Sequence, residues 1–395
     1  MHRLKPHLTN IFWSNLNAGI LAGSGLAMSV VFIRFAGKEL YGQYLFVMAI
    51  VGLFSIISIS GSRTVVFRAA SLGCDGVYRQ ATNFSFLWSL LGIPTLIITG
   101  ILFYLFKTKT LGMCLVIAAL FFPFVTSLEN WILFLKGKSE FYKLALFNLA
   151  KFLTSLLAIG AAILFTKDII AILLTYFIIH SAFNILYHAN VLKSLRNAKI
   201  DSGWKKQSYA LTIMELSSIV FGRVDILLVA AFLPMDRVAV YGLVMKLVGV
   251  LITATKSTVE AVLPKIFKSK KINVNYFYKF FLLSFLVPII LSQLIRYPII
   301  YIYGSKCDEV VPFVQLYLFA IPIYFLFLLL SNFMIKHQMN KEINYSTILS
   351  VIMGTILYIV LIPIYGVWGG IVSSILYFAV QIVASLAFLR KLRGA

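Results

Sequence analysis

Charged side chains stand in or near long apolar runs of the sequence, where a charge is costly. Eight of them are candidates for pairing or binding, four acidic and four basic: Glu129, Lys151, Glu215, Arg223, Asp225, Lys246, Lys256 and Glu260. Removing a charge from water is unfavourable unless the charge is paired or hydrogen-bonded. Basic groups placed in this way can bind an anion, and carboxylates can bind a proton or a metal cation. The residues therefore predict either structural ion pairs or a polar binding site.

Helix spacing separates candidates for binding from candidates for pairing. Arg223 and Asp225 are two residues apart, so on a helix they point to nearly opposite faces. Lys246 lies on the next apolar segment at nearly the same depth, where it could pair with Asp225 and leave Arg223 to bind an anion. Arg223 and Lys246 are thus the first candidates for an anion site, with Lys151 and Lys256 as further cationic candidates.

The other charges have structural alternatives. Lys256 and Glu260 are four residues apart, so they can neutralise each other on one helix face or reach the membrane interface. Glu129 and Lys151 lie on adjacent segments and could form a structural bridge. The candidates for binding a coupling ion are Asp225, Glu215 and Glu129.

The chain has no residue pattern typical of an enzyme. Its five histidines show neither HxxxH nor HExxH spacing, and no Walker loop, GxGxxG or GxSxG sequence occurs. His180 and His188 share one apolar segment, and we expect both to be hydrogen-bonded structural residues. Cys74, Cys114 and Cys307 are widely spaced and predict neither disulfides nor zinc ligands. We therefore predict no catalytic residue, no metal site and no cofactor.

The composition indicates that these apolar segments lie in a lipid bilayer. The chain is 61% hydrophobic and 12% charged, whereas soluble domains carry about 25% charged residues. Its net charge of +22 comes from short basic clusters between apolar runs, which is typical of cytoplasmic loops that face anionic lipid. A nucleic-acid-binding protein would gather such charge on one face, so we expect membrane lipid and no nucleic acid as a partner.

Apolar runs of about 20 residues predict about twelve membrane-spanning helices. They lie at 11–33, 40–60, 82–106, 111–135, 142–166, 169–192, 208–233, 238–263, 276–303, 310–335, 343–364 and 367–389. The first run is about twice as long as a signal-peptide core, so we expect a membrane helix there. Basic residues alternate between the loops, 23 on one side and 8 on the other, which predicts that both termini are cytoplasmic.

The two halves of the chain repeat each other at a distance of 197 residues. Five residues of the segment 44–52 recur in 241–249, and Glu39 falls on Asp236 just ahead of them. Six spans in each half is an even number, so the halves would share one orientation. We predict two parallel six-helix bundles at 1–192 and 208–395, joined by a cytoplasmic connector at 193–207.

Four stretches, in order along the chain, resemble motifs of polysaccharide exporters. The stretch FAGKELYGQYLFVMAIVGL resembles the family's turn and helix start between spans one and two. RVDILLVAAFLPMDRVAVYGLVMKLVGV is similar to the same motif in the second half. The stretch IYIYGSKCDEVVPFVQLYLFAIP resembles the family's turn between spans nine and ten. IPIYGVWGGIVSSILYF resembles its glycine-rich turn between spans eleven and twelve. The chain thus resembles Wzx-type O-antigen flippases, within the exporter superfamily that also holds MATE antiporters and lipid II flippases.

The resemblance implies an all-α, MATE-like fold and a function in O-antigen and lipopolysaccharide biosynthesis. That function is movement of an undecaprenyl-diphosphate-linked oligosaccharide from the cytoplasmic to the periplasmic leaflet of a bacterial inner membrane, by alternating access coupled to H⁺ or Na⁺. The polymerase and chain-length regulator of the pathway would be partners. Lipid II flippases carry arginines in their first two helices, whereas the first span here offers Asn15, Asn17 and Ser24.

Two other functions compete with this one. A MATE-like small-molecule antiporter would favour an acidic site, which Arg223 and Lys246 argue against. A membrane enzyme of the same pathway would be a polymerase or an acyltransferase. The polymerase would show a large periplasmic loop, but every outward loop here is short, and His180 and His188 are poor candidates for an acyltransferase base.

Overall fold

The chain folds into helices that divide into two compact units. The computed structural model describes residues 4–268 and 274–393, and every regular element in these ranges is a helix. Unit 1 is Met1–Arg223 and unit 2 is Val224–Ala395, so the boundary falls within a helix. The all-α architecture is confirmed, while the bundle limits at 192 and 208 stay a prediction.

In the residues that the structure describes, unit 1 contains nine α-helices and most of a tenth. They are α1 Leu4–Val31, α2 Lys38–Phe54, α3 Gly61–Ser71, α4 Gly76–Ser89, α5 Gly92–Phe106, α6 Lys109–Thr126, α7 Trp131–Gly137, α8 Phe141–Thr166, α9 Ile169–Ser194 and α10 Trp204–Phe232. A 3₁₀ turn, Leu128–Asn130, joins α6 to α7. The core beside α3 and α4 is built around Trp131, Tyr78 and Tyr187, all at most 8% exposed.

Unit 2 takes the end of α10 and seven further helices. They are α11 Met235–Lys268, α12 Val274–Leu294, α13 Arg296–Tyr303, α14 Val311–Leu318, α15 Ala320–Lys336, α16 Asn340–Tyr365 and α17 Val367–Arg393. A 3₁₀ turn, Ser305–Val310, precedes α14.

Ten helical segments in the described part of the chain are long and apolar enough to cross a membrane, or eleven if the bent pair α12–α13 counts as one span. The ten segments coincide with ten of the predicted spans, and the bent pair coincides with the predicted span 276–303. The helix α10 forms where the span 208–233 was predicted; it is not among these segments, which were sought in the described residues only. This helix contains Glu215, Arg223 and Asp225, and their charges make it less apolar than it would be without them.

The internal repeat corresponds to two helices with the same pattern of burial. Glu39 lies in the first turn of α2 and Asp236 in the first turn of α11, where an acidic side chain favours the helix N-terminus. Val47 and its counterpart Val244 are both fully buried. Each repeat therefore places the same face of its helix inward within its own unit.

Glycine makes two of the turns in the recognised motifs. Gly37 has φ 92° and donates its N–H to the Phe32 carbonyl at 2.9 Å; Gly304 has φ 91° and donates to Ile300 at 2.9 Å. This left-handed backbone strongly favours glycine. The turns thus end one helix and start the next within a single residue.

The segment that follows α9 is fixed to the α3–α4 turn. The Asp75 carboxylate, wholly buried, forms an ion pair with Lys138 and accepts the backbone N–H of Arg196 at 3.0 Å. Next to it, Gly76 N–H donates to the Lys199 carbonyl at 2.9 Å. The predicted connector is therefore held against unit 1 by a buried charge and by backbone hydrogen bonds.

Candidate functional site

An ion-pair group in unit 1 brings together two cations and one carboxylate. Glu129, on the 3₁₀ turn after α6, lies 3.6 Å from Lys151 Nζ on α8 and 3.4 Å from Arg63 Nη2 on α3. The Glu129 and Arg63 side chains are about one-third exposed, whereas the Lys151 side chain is 10% exposed. The bridge that the sequence left open is formed, and the group carries a net charge of +1.

The end of α6 supplies acceptors for this group. Carbonyls in the last turn of a helix lack partners within the helix. Arg63 Nη2 donates to the Thr126 carbonyl at 2.8 Å, and Asn184 of α9 donates to Phe124 at 3.1 Å. The Asn184 amide oxygen in turn accepts Lys151 Nζ at 3.1 Å. These bonds fix both cations in position.

The first part of α10 contributes Glu215 and Arg223 to unit 1. Glu215 accepts a hydrogen bond from Thr64 Oγ1 at 3.0 Å. Arg223 is exposed, and its guanidinium passes over Gly52 of α2: a Cβ atom placed on Gly52 would lie 2.5 Å from Arg223 Nε. Two of the predicted site residues thus lie on one helix, eight residues apart.

A second polar group surrounds Asp225 in unit 2. Asp225 is 9% exposed; its Oδ2 accepts the Tyr241 hydroxyl at 3.1 Å and its Oδ1 accepts the Ile226 N–H at 2.7 Å. Tyr358 of α16 and Ser374 of α17 complete the network, with 2.8 Å between their oxygens and 3.2 Å from Ser374 Oγ to Tyr241 Oη. A carboxylate among three hydroxyls can hold a proton or a small hard cation.

The remaining lysines lie on α11. Lys246 is half-buried and Lys256 is exposed, roughly 15 Å further along the helix axis. The proposed partner of Lys256, the Glu260 side chain, lies outside the described residues. The pairing of Lys246 with Asp225 stays a prediction, and the hydrogen bonds shown for Asp225 come from Tyr241 and Ile226.

The two histidines of α9 have the hydrogen bonds that we expected. His188 Nδ1 lies 2.8 Å from the Tyr78 hydroxyl, and His180 Nδ1 lies 3.0 Å from the Tyr176 carbonyl. Asn17, in the first span, accepts a hydrogen bond from Asn148 of α8 at 2.7 Å.

Several contributors to these groups are missing from the candidates that the sequence suggests, among them Arg63, Asn184 and Tyr241. Arg63 is one of the basic residues counted for the cytoplasmic side. Tyr241 leaves a signal in the sequence, because it repeats Tyr44 in the other half of the chain. Arg63 and Asn184 join their groups through contacts between distant parts of the chain, which no local pattern records.

Comparison with known proteins identifies the fold. Neither a protein-family profile nor the sequence of a curated protein matches the chain. Among solved structures, the lipid II flippase MurJ in an inward closed conformation matches with a TM-score of 0.72 and 16% identity, over 96% of this chain and 87% of that chain.

Two MATE transporters have the same fold. An inward-facing multidrug resistance MATE family transporter of the MOP superfamily matches with a TM-score of 0.66 and 12% identity, over 97% of this chain and 99% of that chain. The MATE multidrug transporter DinF-BH matches with a TM-score of 0.65 and 11% identity, over 98% of this chain and 95% of that chain. The chain is thus a multi-pass membrane protein with the fold of MOP-superfamily transporters.

Proposed function

We propose that this protein is a flippase that moves an undecaprenyl-diphosphate-linked O-antigen unit from the cytoplasmic to the periplasmic leaflet of a bacterial inner membrane. The observation that carries the proposal is the ion-pair group of unit 1, where a single carboxylate, Glu129, serves both Lys151 and Arg63. A structural ion pair would be neutral, whereas this group keeps one positive charge for an anionic substrate. The similarity in fold to a lipid II flippase adds support.

The charge balance suits a diphosphate. An unpaired diphosphate in hydrocarbon would be costly to hold, and cationic side chains lower that cost along the path. The Arg223 guanidinium can bind phosphate oxygens in bidentate fashion, while Lys151, Lys246 and Lys256 act as point charges. The polyprenyl tail can stay in lipid while the polar head group crosses.

Ion coupling is part of the same proposal. The Asp225 network offers carboxylate and hydroxyl oxygens from α10, α11, α16 and α17, a set that fits a proton or Na⁺. Binding an ion there would join helices that are far apart in the sequence, which is how an ion can favour one conformation in alternating access. Glu215 and Glu129 are the other candidates for this role.

The alternatives make different demands on the same residues. A MATE-like small-molecule antiporter has support from fold similarity to multidrug transporters. For such a protein, Asp225 would be the substrate carboxylate and the cations of unit 1 would be dispensable. A polymerase or acyltransferase of the pathway has no such support, because the structural neighbours named above are a flippase and transporters. The polymerase and chain-length regulator are instead proposed as partners.

Depletion of the protein in cells tests the proposal. Lipid-linked repeat units should then accumulate on the cytoplasmic leaflet, where a membrane-impermeant glycosidase or lectin added to spheroplasts reaches them only after the inner membrane is permeabilised. Re-expression should return them to the periplasmic side. Normal periplasmic exposure in depleted cells that lack any paralogue would contradict the proposal. Drug accumulation with unchanged lipid distribution would favour the antiporter.

A further inference from the structure

Gly52 is the place where α2 meets the side chain of Arg223. A Cβ atom at Gly52 would lie 2.5 Å from Nε, 2.9 Å from Cζ and 3.2 Å from Cδ of Arg223. Real Cβ atoms do not approach heavy atoms as closely as the first two distances. Any side chain at position 52 therefore has to move the guanidinium, and both residues belong to unit 1.

The atoms in the way are the far end of a flexible side chain rather than backbone. The rest of α2 needs no rearrangement, because arginine can adopt other rotamers at small cost. Alanine is also a better helix former than glycine. Replacing Gly52 with alanine should therefore leave the fold intact and change mainly the position of one positive charge.

The internal repeat supplies a glycine without this contact. Gly249 of α11 corresponds to Gly52, 197 residues later in the chain. Among the described residues, nothing lies within 4 Å of a Cβ placed on Gly249. The two glycines share a position in the repeat but differ in surroundings, so the close approach is specific to Gly52.

We propose that Gly52 is a positioning residue for substrate anion binding: the missing side chain lets the Arg223 guanidinium lie against α2, where it meets the diphosphate. The inference rests on the proposed function, since it assigns Arg223 to the anionic group of the substrate. A cation held at a fixed place binds a phosphate group with less loss of entropy than a freely moving one.

Transport assays with single and double variants test the functional part. Gly52→Ala should slow flipping of lipid-linked units by roughly 10- to 100-fold at unchanged protein level, because small misplacements of a positioning group have effects of this size. Gly249→Ala should leave transport unchanged. In an Arg223→Ala background, Gly52→Ala should add no further loss, because the group that it displaces is gone.

Chemical modification tests the contact without any assay of transport. The purified protein is treated with phenylglyoxal, an arginine-selective dicarbonyl, and the adduct at Arg223 is followed by mass spectrometry. Gly52→Ala should raise the rate at Arg223 several-fold compared with wild type and Gly249→Ala. An unchanged rate would overturn the inference whatever transport does.

The two assays together separate the inference from the proposed function. A raised modification rate with normal transport in both Gly52→Ala and Arg223→Ala would mean that the contact exists but that Arg223 does not serve transport. A second outcome is a raised modification rate in Gly52→Ala, with transport lost in Arg223→Ala but normal in Gly52→Ala. That result would keep Arg223 in transport and remove the positioning role of Gly52. Equal losses of transport in Gly52→Ala and Arg223→Ala, with no further loss in the double variant, would support both the inference and the proposed function.

Discussion

Glu129 holds two cations with one carboxylate. Its two oxygens face different partners, Oε2 towards Arg63 and Oε1 towards Lys151. Lys151 is the more dependent partner because it is the more deeply buried. A buried ammonium whose carboxylate is removed keeps its desolvation cost without the compensating attraction.

For this residue we predict that Glu129→Gln lowers the free energy of unfolding by roughly 1–3 kcal/mol. The expected loss lies between those for exposed and for buried ion pairs, because Glu129 is partly exposed. Thermal aggregation of the purified protein in detergent measures the change. Glu129→Gln combined with Lys151→Gln should regain stability yet lose transport. Glu309→Gln, which alters the more exposed pair with Arg237, is the matched control and should shift the midpoint little. Equal shifts in both single variants would contradict the role assigned to Glu129.

Among the elements, the segment after α9 depends on the buried Asp75. One Asp75 oxygen pairs with Lys138 and the other accepts the Arg196 N–H, so a single side chain joins the end of α7 to the connector. The indole of Trp204, at the start of α10, donates to Gln80 of α4 at 3.0 Å and holds the far end of the same segment.

Asp75→Ala should release this segment, because it leaves a lysine and a backbone N–H without their acceptor. Limited trypsin digestion checks it: cleavage after Arg196 and Lys199 should become much faster than in the wild type. Glu140→Ala, which removes an exposed partner 4.0 Å from Lys143, is the control and should leave the digestion pattern unchanged. If the Asp75→Ala variant resisted trypsin as well as the control does, other contacts would hold the segment.

The helices were largely predictable from sequence, and the contacts between them were not. The thickness of a bilayer fixes the length of an apolar run, so the spans follow from composition alone. The turns at Gly37 and Gly304 were visible because glycine marks them. Arg63 was counted only among the basic loop residues, because a count of loop charges cannot show that α3 brings it to Glu129, 66 residues later.

For the whole molecule, the distribution of basic residues predicts its orientation. Ten or eleven apolar spans in the described part of the chain, together with α10, give an arrangement compatible with twelve crossings. An even number puts both termini on one side, and the excess of basic loops predicts that this side is cytoplasmic.

Reporter insertions measure this orientation. Alkaline phosphatase fused after Ala395 should be inactive and a green fluorescent protein there should be bright, because the first folds in the periplasm and the second in the cytoplasm. Alkaline phosphatase inserted at Thr108, between α5 and α6, should be active, since that loop is predicted to face outward. Active phosphatase at the C-terminus would reverse the assignment.

The docked connector also bears on where the chain can be divided. A break at 192 would separate Asp75 from the Arg196 N–H that it accepts. It would also remove the start of α10, where Thr212 accepts the Gly61 N–H and Glu215 accepts Thr64. A fragment limited to the first six predicted spans should therefore be less stable than one that runs on into α10.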